Sequence, residues 1–240
     1  MSEWAPKRFW KTAETTATDD GFGVLLDGRP VRTPAKAVLS VPSRALGARI
    51  AAEFDAQVDL IDPKTMPFTR TANAAIDKVV VQHAEVADML ADYADSDLLC
   101  YRAAQPKELV LRQAQQWNPL LDWAEDKLSA RLEPRTGVIH VAQSPEALTT
   151  LRARVHDMSN FELAAFHDLV SISGSLIIGF AAKLASFPVD DLWTVSRLDE
   201  IWQEEQWGID EEAQKMAEHK KAAFLHADHF MRLIGDESLT

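Results

Sequence analysis

The stretch LDEIWQEEQWG, Leu198 to Gly208, sets four carboxylates around two tryptophans. On a helix beginning near Val189, at about 100° per residue, Val195, Leu198, Ile201 and Trp202 define an apolar arc. Glu200 and Glu204 point away from it, where solvation accounts for them. Glu205 instead projects between Leu198 and Ile201. A carboxylate there must be paired, hydrogen-bonded or at a helix end, since an unpaired buried charge is costly. A salt bridge or an exposed end is the plain explanation. Asp199, Gln203 and Trp207 form a second stripe at i, i+4 and i+8. An acid, an amide and a large aromatic side by side can satisfy a partner's polar groups while supplying contact area. From Asp199 to Glu218 there are eight acids against one base, Lys215, a surface that attracts a basic partner. Asp210 to Glu212 also suit a helix N-terminus after a break at Gly208, so part of this charge is local capping.

Metal chemistry has one candidate. His219, His226 and His229 fall at i, i+7 and i+10 with Asp228 nearby, and imidazoles on one face could hold zinc. No H-E-x-x-H is present, and neither His226-x-x-His229 nor Glu162 with His167 reproduces the Glu-x-x-His repeats of di-iron bundles. Polar residues on an exposed terminal helix explain the histidines better. No G-x-S-x-G elbow, phosphate-binding G-x-x-x-x-G-K or dinucleotide G-x-G-x-x-G occurs, and GFG at Gly21 to Gly23 belongs to a hairpin. A carboxylate-dependent metal hydrolase using Glu205 or His226 is the enzymatic alternative to a binding protein. No cofactor is expected.

The bulk properties narrow the partners. The net charge of -12 repels phosphate backbones and anionic headgroups, and no basic patch offsets it, which argues against nucleic acid. Hydrophobic residues at 47% and charged residues at 26% are those of a globular chain. The single cysteine, Cys100, excludes an intrachain disulfide and a multi-thiolate metal site, and fits a reducing compartment. Leu169 to Ala182 runs 14 residues without charge, whereas a membrane span needs about 20. MSEWAPKRFW carries neither a secretory nor a mitochondrial targeting pattern. The expectation is a soluble protein, or the mature form of an imported one.

These residues need positioning elements, and the chain supplies two kinds. From Arg8 to Val41 it reads as short antiparallel strands, RFWKTAETTA, FGVLL, RPVRT and AVLSV, with turns at DDG and at Asp27-Gly28. Ser43 caps a covering helix through Leu46, Ile50, Ala51 and Phe54 to about Gln57. IDPKTMPFTRT, with Pro63 and Pro67, reads as an irregular connection and a candidate domain junction. Helical periodicity then dominates in 72–93, 108–132, 145–158, 161–186 and from Val189 to the C-terminus, with a break near Gly208. TGVIHVA, Thr136 to Ala142, is the exception, a β-branched run that suits an extended edge. The second half of 161–186 is apolar on nearly every side, which implies a central helix, with Ser175 and Gly179 letting a neighbouring backbone approach. The expected fold class is α+β: an N-terminal antiparallel β-rich domain with a covering helix, residues 1-68, followed by a mainly α-helical domain, residues 69-240.

Taken together, RFWK at 8–11, LDGRPVRTP at 26–34, MPFTRTANAAID at 66–77, DLLCYRA at 97–103 and SRLDEIWQEEQWG at 196–208 resemble, in this order and spacing, a known family. It is that of the chaperones that assemble the soluble F-one sector of ATP synthase by holding its α subunit, found in mitochondria and alphaproteobacteria. The resemblance covers nearly the whole chain. It implies a monomeric, non-enzymatic chaperone that shields the β-subunit interface of the unassembled α subunit and does not insert into a membrane. It also implies a cytoplasmic location in bacteria and the mitochondrial matrix in eukaryotic relatives. Asp199, Gln203, Trp207 and Gly208 match the family's acid, Gln and Trp-Gly spacing. With Glu204 and Glu205 between them they form the expected partner-binding set. A general holdase without a dedicated client is the further alternative.

Overall fold

Turn chemistry fixes the register of the sheet. A computed structural model describes residues 7–137 and 139–235 of the chain. Strand β1 (Ala13–Thr18) pairs antiparallel with β2 (Gly21–Leu26), from Ala13 opposite Leu26 to Thr18 opposite Gly21. At the far end of β2, Asp27 and Gly28 take φ of 48° and 77°, the two left-handed residues that a type I′ hairpin requires. The Asp27 carboxylate accepts from the backbone N–H of Thr12 at 2.9 Å and of Lys11 at 3.0 Å, which ties this turn to the residues preceding β1 and holds the carboxyl below its ordinary range.

β3 (Arg29–Pro30) and β4 (Ser40–Val41) pair with β2 near its two ends. Both are shorter than the runs RPVRT and AVLSV suggest, with one bridge, Arg32 to Val38, between them. Pro30 and Pro34 have no N–H to extend a ladder.

Helix α1 (Arg44–Asp55) covers the sheet with Leu46, Ile50, Ala51 and Phe54 buried, and Ser43 caps it by accepting from the Leu46 N–H at 3.1 Å. A Cβ on Gly47 would lie 2.7 Å from Thr15 Cγ2, so α1 rests on β1 at a distance that only glycine permits.

The segment expected to be an irregular connection is shorter than the sequence suggests. After a single 3-10 turn at Pro63–Thr65, helix α2 (Pro67–Ala74) already begins within it. Met66 offers no cap to the free N–H groups there. The buried Glu53 of α1 supplies it instead, accepting from Phe68 N–H at 2.7 Å, Thr69 N–H at 2.8 Å and Thr69 Oγ1 at 2.7 Å. Helix then continues through a π turn, Ala75–Val79, into α3 (Val80–Ala91), which kinks at Gln82. Asp77 in the π turn accepts from Thr33 Oγ1 at 2.6 Å and Ala35 N–H at 3.0 Å, tying the helix back to the β3–β4 connection.

The remaining elements are β5 (Tyr101–Arg102), α4 (Lys107–Leu128), β6 (Arg135–Thr136), α5 (Pro145–His156), α6 (Asn160–Ser173), α7 (Leu176–Lys183), α8 (Val189–Ser196), α9 (Leu198–Trp207) and α10 (Glu211–Ile234). The architecture is therefore an N-terminal antiparallel sheet with a covering helix, followed by a mainly helical region. Among the described residues of the expected edge segment 136–142, only Thr136 is strand, as the second residue of β6, which runs parallel to β5. Val138, and the chain beyond Gly235 that the last expected helix was to reach, lie outside the described residues.

The expected single helix 161–186 is two. Gly174 takes a φ of 72°, and Ser175 caps α7 by accepting from the Ile178 N–H at 3.0 Å. Asp97, fully buried, accepts from Leu99 N–H at 3.0 Å and Ile177 N–H at 3.1 Å, so one carboxylate caps both α7 and the 3-10 turn Leu98–Cys100. α7 is buried from Leu176 to Ala182, as its composition implies. Ser175 thus starts a helix where a close contact was expected. Gly179 does admit a close contact, but with side chains and not with a neighbouring backbone: a Cβ there would meet Val170 Cγ2 at 2.7 Å and the Phe166 ring at 3.0 Å. Among the described residues no helix is long and apolar enough to cross a membrane.

The chain forms two compact units. One comprises the stretch up to His83, Ser159–Ala165 and the stretch from His229. Within it, Phe68 meets His229 edge-on at 5.2 Å and stacks on Phe230 at 6.2 Å. The other comprises Ala84–Met158 and Phe166–Asp228.

Candidate functional site

Helix α9 is held against α4 by polar and aromatic contacts at successive turns. Trp117 Nε1 donates to the Val195 carbonyl at 3.0 Å, just before α9 begins. Gln113, itself buried, donates from Nε2 to Asp199 Oδ1 at 2.7 Å and accepts from the Ala103 N–H at 2.9 Å. Arg112 lies over the Trp202 ring at 4.9 Å and reaches Glu205, its Nη1 2.8 Å from Oε2. That bond holds the Glu205 carboxyl below its ordinary range and raises the Arg112 guanidinium. Glu205 is therefore both exposed and paired, with Arg112 spanning the indole to meet it. Behind them, Arg102 donates from Nε to the Leu99 carbonyl at 2.7 Å and lies over the Trp117 ring at 5.2 Å.

The expected continuous helix from Val189 to Gly208 breaks at Arg197, whose φ of -108° and ψ of 17° end α8 and begin α9. Ser196 Oγ donates to the Trp193 carbonyl at 2.7 Å, in competition with the helical ladder. Arg197 then pairs with Glu204 at 3.1 Å. Gly208 takes a φ of 92° and ends α9. Asp210 caps α10, accepting from Glu212 N–H at 2.8 Å and Ala213 N–H at 3.2 Å.

At this turn three large apolar side chains face solvent: Trp207 is 80% exposed, Ile209 65% and Met216 63%. Two clefts flank the ridge formed by Gln203 and Trp207. One, of about 400 Å³, lies between α9 and the start of α4, with Asp199, Trp202, Gln105 and Leu109 in its wall. The other, of about 380 Å³, lies between α9 and α10, with Glu204, Gly208 and Met216 in its wall.

The six expected partner-binding residues therefore have different surroundings. Asp199 is half-buried and tied to Gln113, Glu204 is tied to Arg197, and Glu205 is tied to Arg112 and lines neither cleft. Gln203 and Trp207 are exposed and shared by both clefts, and Gly208 makes the turn. Sequence reading did not find Gln105, Leu109, Arg112 and Gln113, which reach this face from α4 and the residues before it. Nothing in an amphipathic helix marks which distant acid its Arg and Gln will meet.

Other reactive groups lie elsewhere. Burial pushes the Cys100 thiol up to about 12, so it is no nucleophile at neutral pH. His219 is exposed, and His229 stands against Phe68. Among the described residues no group of three or more His, Cys, Asp or Glu is placed to hold a metal ion.

Residues 7–125 match the profile of a family described as ATP12 chaperone protein. The crystal structure of Atp12 from Paracoccus denitrificans superposes with a TM-score of 0.94 at 45% identity, covering 97% of this chain and all of that one. The Agrobacterium tumefaciens protein Atu1473 superposes with a TM-score of 0.90 at 38% identity, covering 95% of this chain and 86% of that one. The mitochondrial protein atp12 of Schizosaccharomyces pombe is 25% identical over 222 residues, 88% of this chain and 76% of its own length.

Proposed function

The chain belongs to the ATP12 family of chaperones, and from that premise we propose that it serves ATP synthase assembly by holding the unassembled α subunit of the catalytic sector. In this reading it covers the apolar surface of α that is destined for the β subunit, and releases it when β arrives. Its work is binding, not turnover. It acts as a monomer in the bacterial cytoplasm, the counterpart of the mitochondrial compartment of the S. pombe relative.

The client face is α9 with the turn that follows it, and comprises Asp199, Gln203, Glu204, Glu205, Trp207 and Gly208. The observation that carries this assignment is the Trp207 indole, 80% exposed between two clefts. Its own fold gains little from so exposed a ring, whereas exposed aromatics beside a cleft are typical anchors of a protein interface. The surrounding excess of acids favours a basic client surface.

Capture of free α subunit by the purified protein tests the reading. Asp199→Lys combined with Trp207→Ala is expected to abolish capture, and undiminished capture would remove this face from consideration. An excess of unrelated unfolded protein separates a dedicated chaperone from a general holdase. The dedicated chaperone keeps its α subunit, and the holdase is titrated away.

A further inference from the structure

The cleft between α9 and the start of α4 has an unusual charge distribution. Among the described residues lining it Asp199 is the one charged group, and the rest are glutamine amides and apolar side chains that include Trp202 and Trp207. The carboxylate is also fixed in direction. Gln113, 1% exposed, holds Oδ1 at 2.7 Å, and Gln113 is itself anchored by the Ala103 N–H. Oδ2 accepts no hydrogen bond from any described residue.

We propose that this cleft is the seat of one arginine side chain of the client, carried in an apolar segment, with its guanidinium on Asp199 Oδ2 and its plane against an indole. The proposal rests on the reading of this face as the client site and names what the site selects. A guanidinium is planar, donates in a fork that matches a carboxylate, and stacks on indole faces. The glutamine amides have donors and acceptors to spare for the main chain on either side of it. An anionic group would be repelled by Asp199 and by the net charge of -12. A purely apolar segment would bury Asp199 with Oδ2 unpaired, which disfavours binding. Gln113 is a positioning residue in this scheme, because it aims the carboxylate without touching the client.

The test uses the full-length protein and the blocked peptide N-acetyl-Leu-Arg-Leu-amide, with a citrulline peptide as the neutral isostere. The indole N–H resonances of Trp202 and Trp207 report binding. The arginine peptide should shift them saturably, with affinity at least about tenfold above that of the citrulline peptide. Asp199→Asn, which keeps the Oδ1 acceptor for Gln113, should erase that preference. Equal binding of the two peptides, an undiminished preference in Asp199→Asn, or no saturable shift would overturn the proposal. Capture of intact α subunit by Trp207→Ala is measured in parallel. Loss of capture without arginine preference keeps the client face and discards the arginine. Arginine preference with unchanged capture keeps the cleft chemistry and discards the client reading.

Discussion

Gln113 Nε2 lies 2.7 Å from Asp199 Oδ1, joining residues 86 apart in the chain through an amide that is almost wholly enclosed. The expected partner-binding acid is thus also part of the contact by which α9 is seated on α4.

Replacing Gln113 by Leu keeps the volume roughly constant but leaves both the Ala103 N–H and the Asp199 oxygen without their partner. Loss of a hydrogen bond to a charged group costs about 1.5–3 kcal/mol. The urea midpoint should fall accordingly with an unchanged m-value. A midpoint equal to wild type would mean that water replaces the amide without loss.

Trp207→Ala and Glu205→Gln should separate binding from stability in different ways. Trp207 is 80% exposed, so its removal should leave the melting temperature nearly unchanged while reducing capture of α subunit strongly. Glu205 is occupied by Arg112 and lines neither cleft, so Glu205→Gln should affect capture much less. Equal losses in a quantitative pull-down would show that Arg112 releases Glu205 to the client.

Asp97 gives a pH dependence with a definite sign. Burial pushes its carboxyl up to about 6, against the pull of hydrogen bonds from Ser175 and the Leu99 and Ile177 amides. The folded value is thus above the unfolded one, so this contribution to stability is complete at low pH and lost as pH rises through about 6. A shift of roughly two units corresponds to about 3 kcal/mol. Asp97→Asn does not titrate. The stability difference, wild type minus variant, should therefore fall between about pH 4 and 7. Urea unfolding of both proteins across that range measures it, and a flat difference would mean that Asp97 titrates normally.

At Gly179 a Cβ would stand 2.7 Å from Val170 Cγ2 and 3.0 Å from the Phe166 ring. Both neighbours are fully buried and cannot swing away. Gly179→Ala should destabilise by about 1–3 kcal/mol despite alanine's better helix propensity. Thermal unfolding checks this, and a stabilised variant would show that α6 and α7 can separate at no cost.

Local signals were readable because neighbouring residues settle them. Asp27-Gly28 encodes its own turn, Ser43 its own cap, Gly208 its own helix end, and the stretch after Ser175 its own burial. The acid, amide and indole of Asp199, Gln203 and Trp207 were likewise visible as one stripe, since helical spacing alone aligns them. Periodicity ran through Gly174 and Arg197, however, because apolar spacing continues across a break that small polar residues and a distant carboxylate create. The start of α2 was hidden for the same reason, its cap being Glu53 of α1. Whether Glu205 is paired, which oxygen of Asp199 is held, and which residues of α4 share the cleft depend on groups far away in the chain. Only the tertiary structure decides these, because the energy of a carboxylate depends on what surrounds it in space.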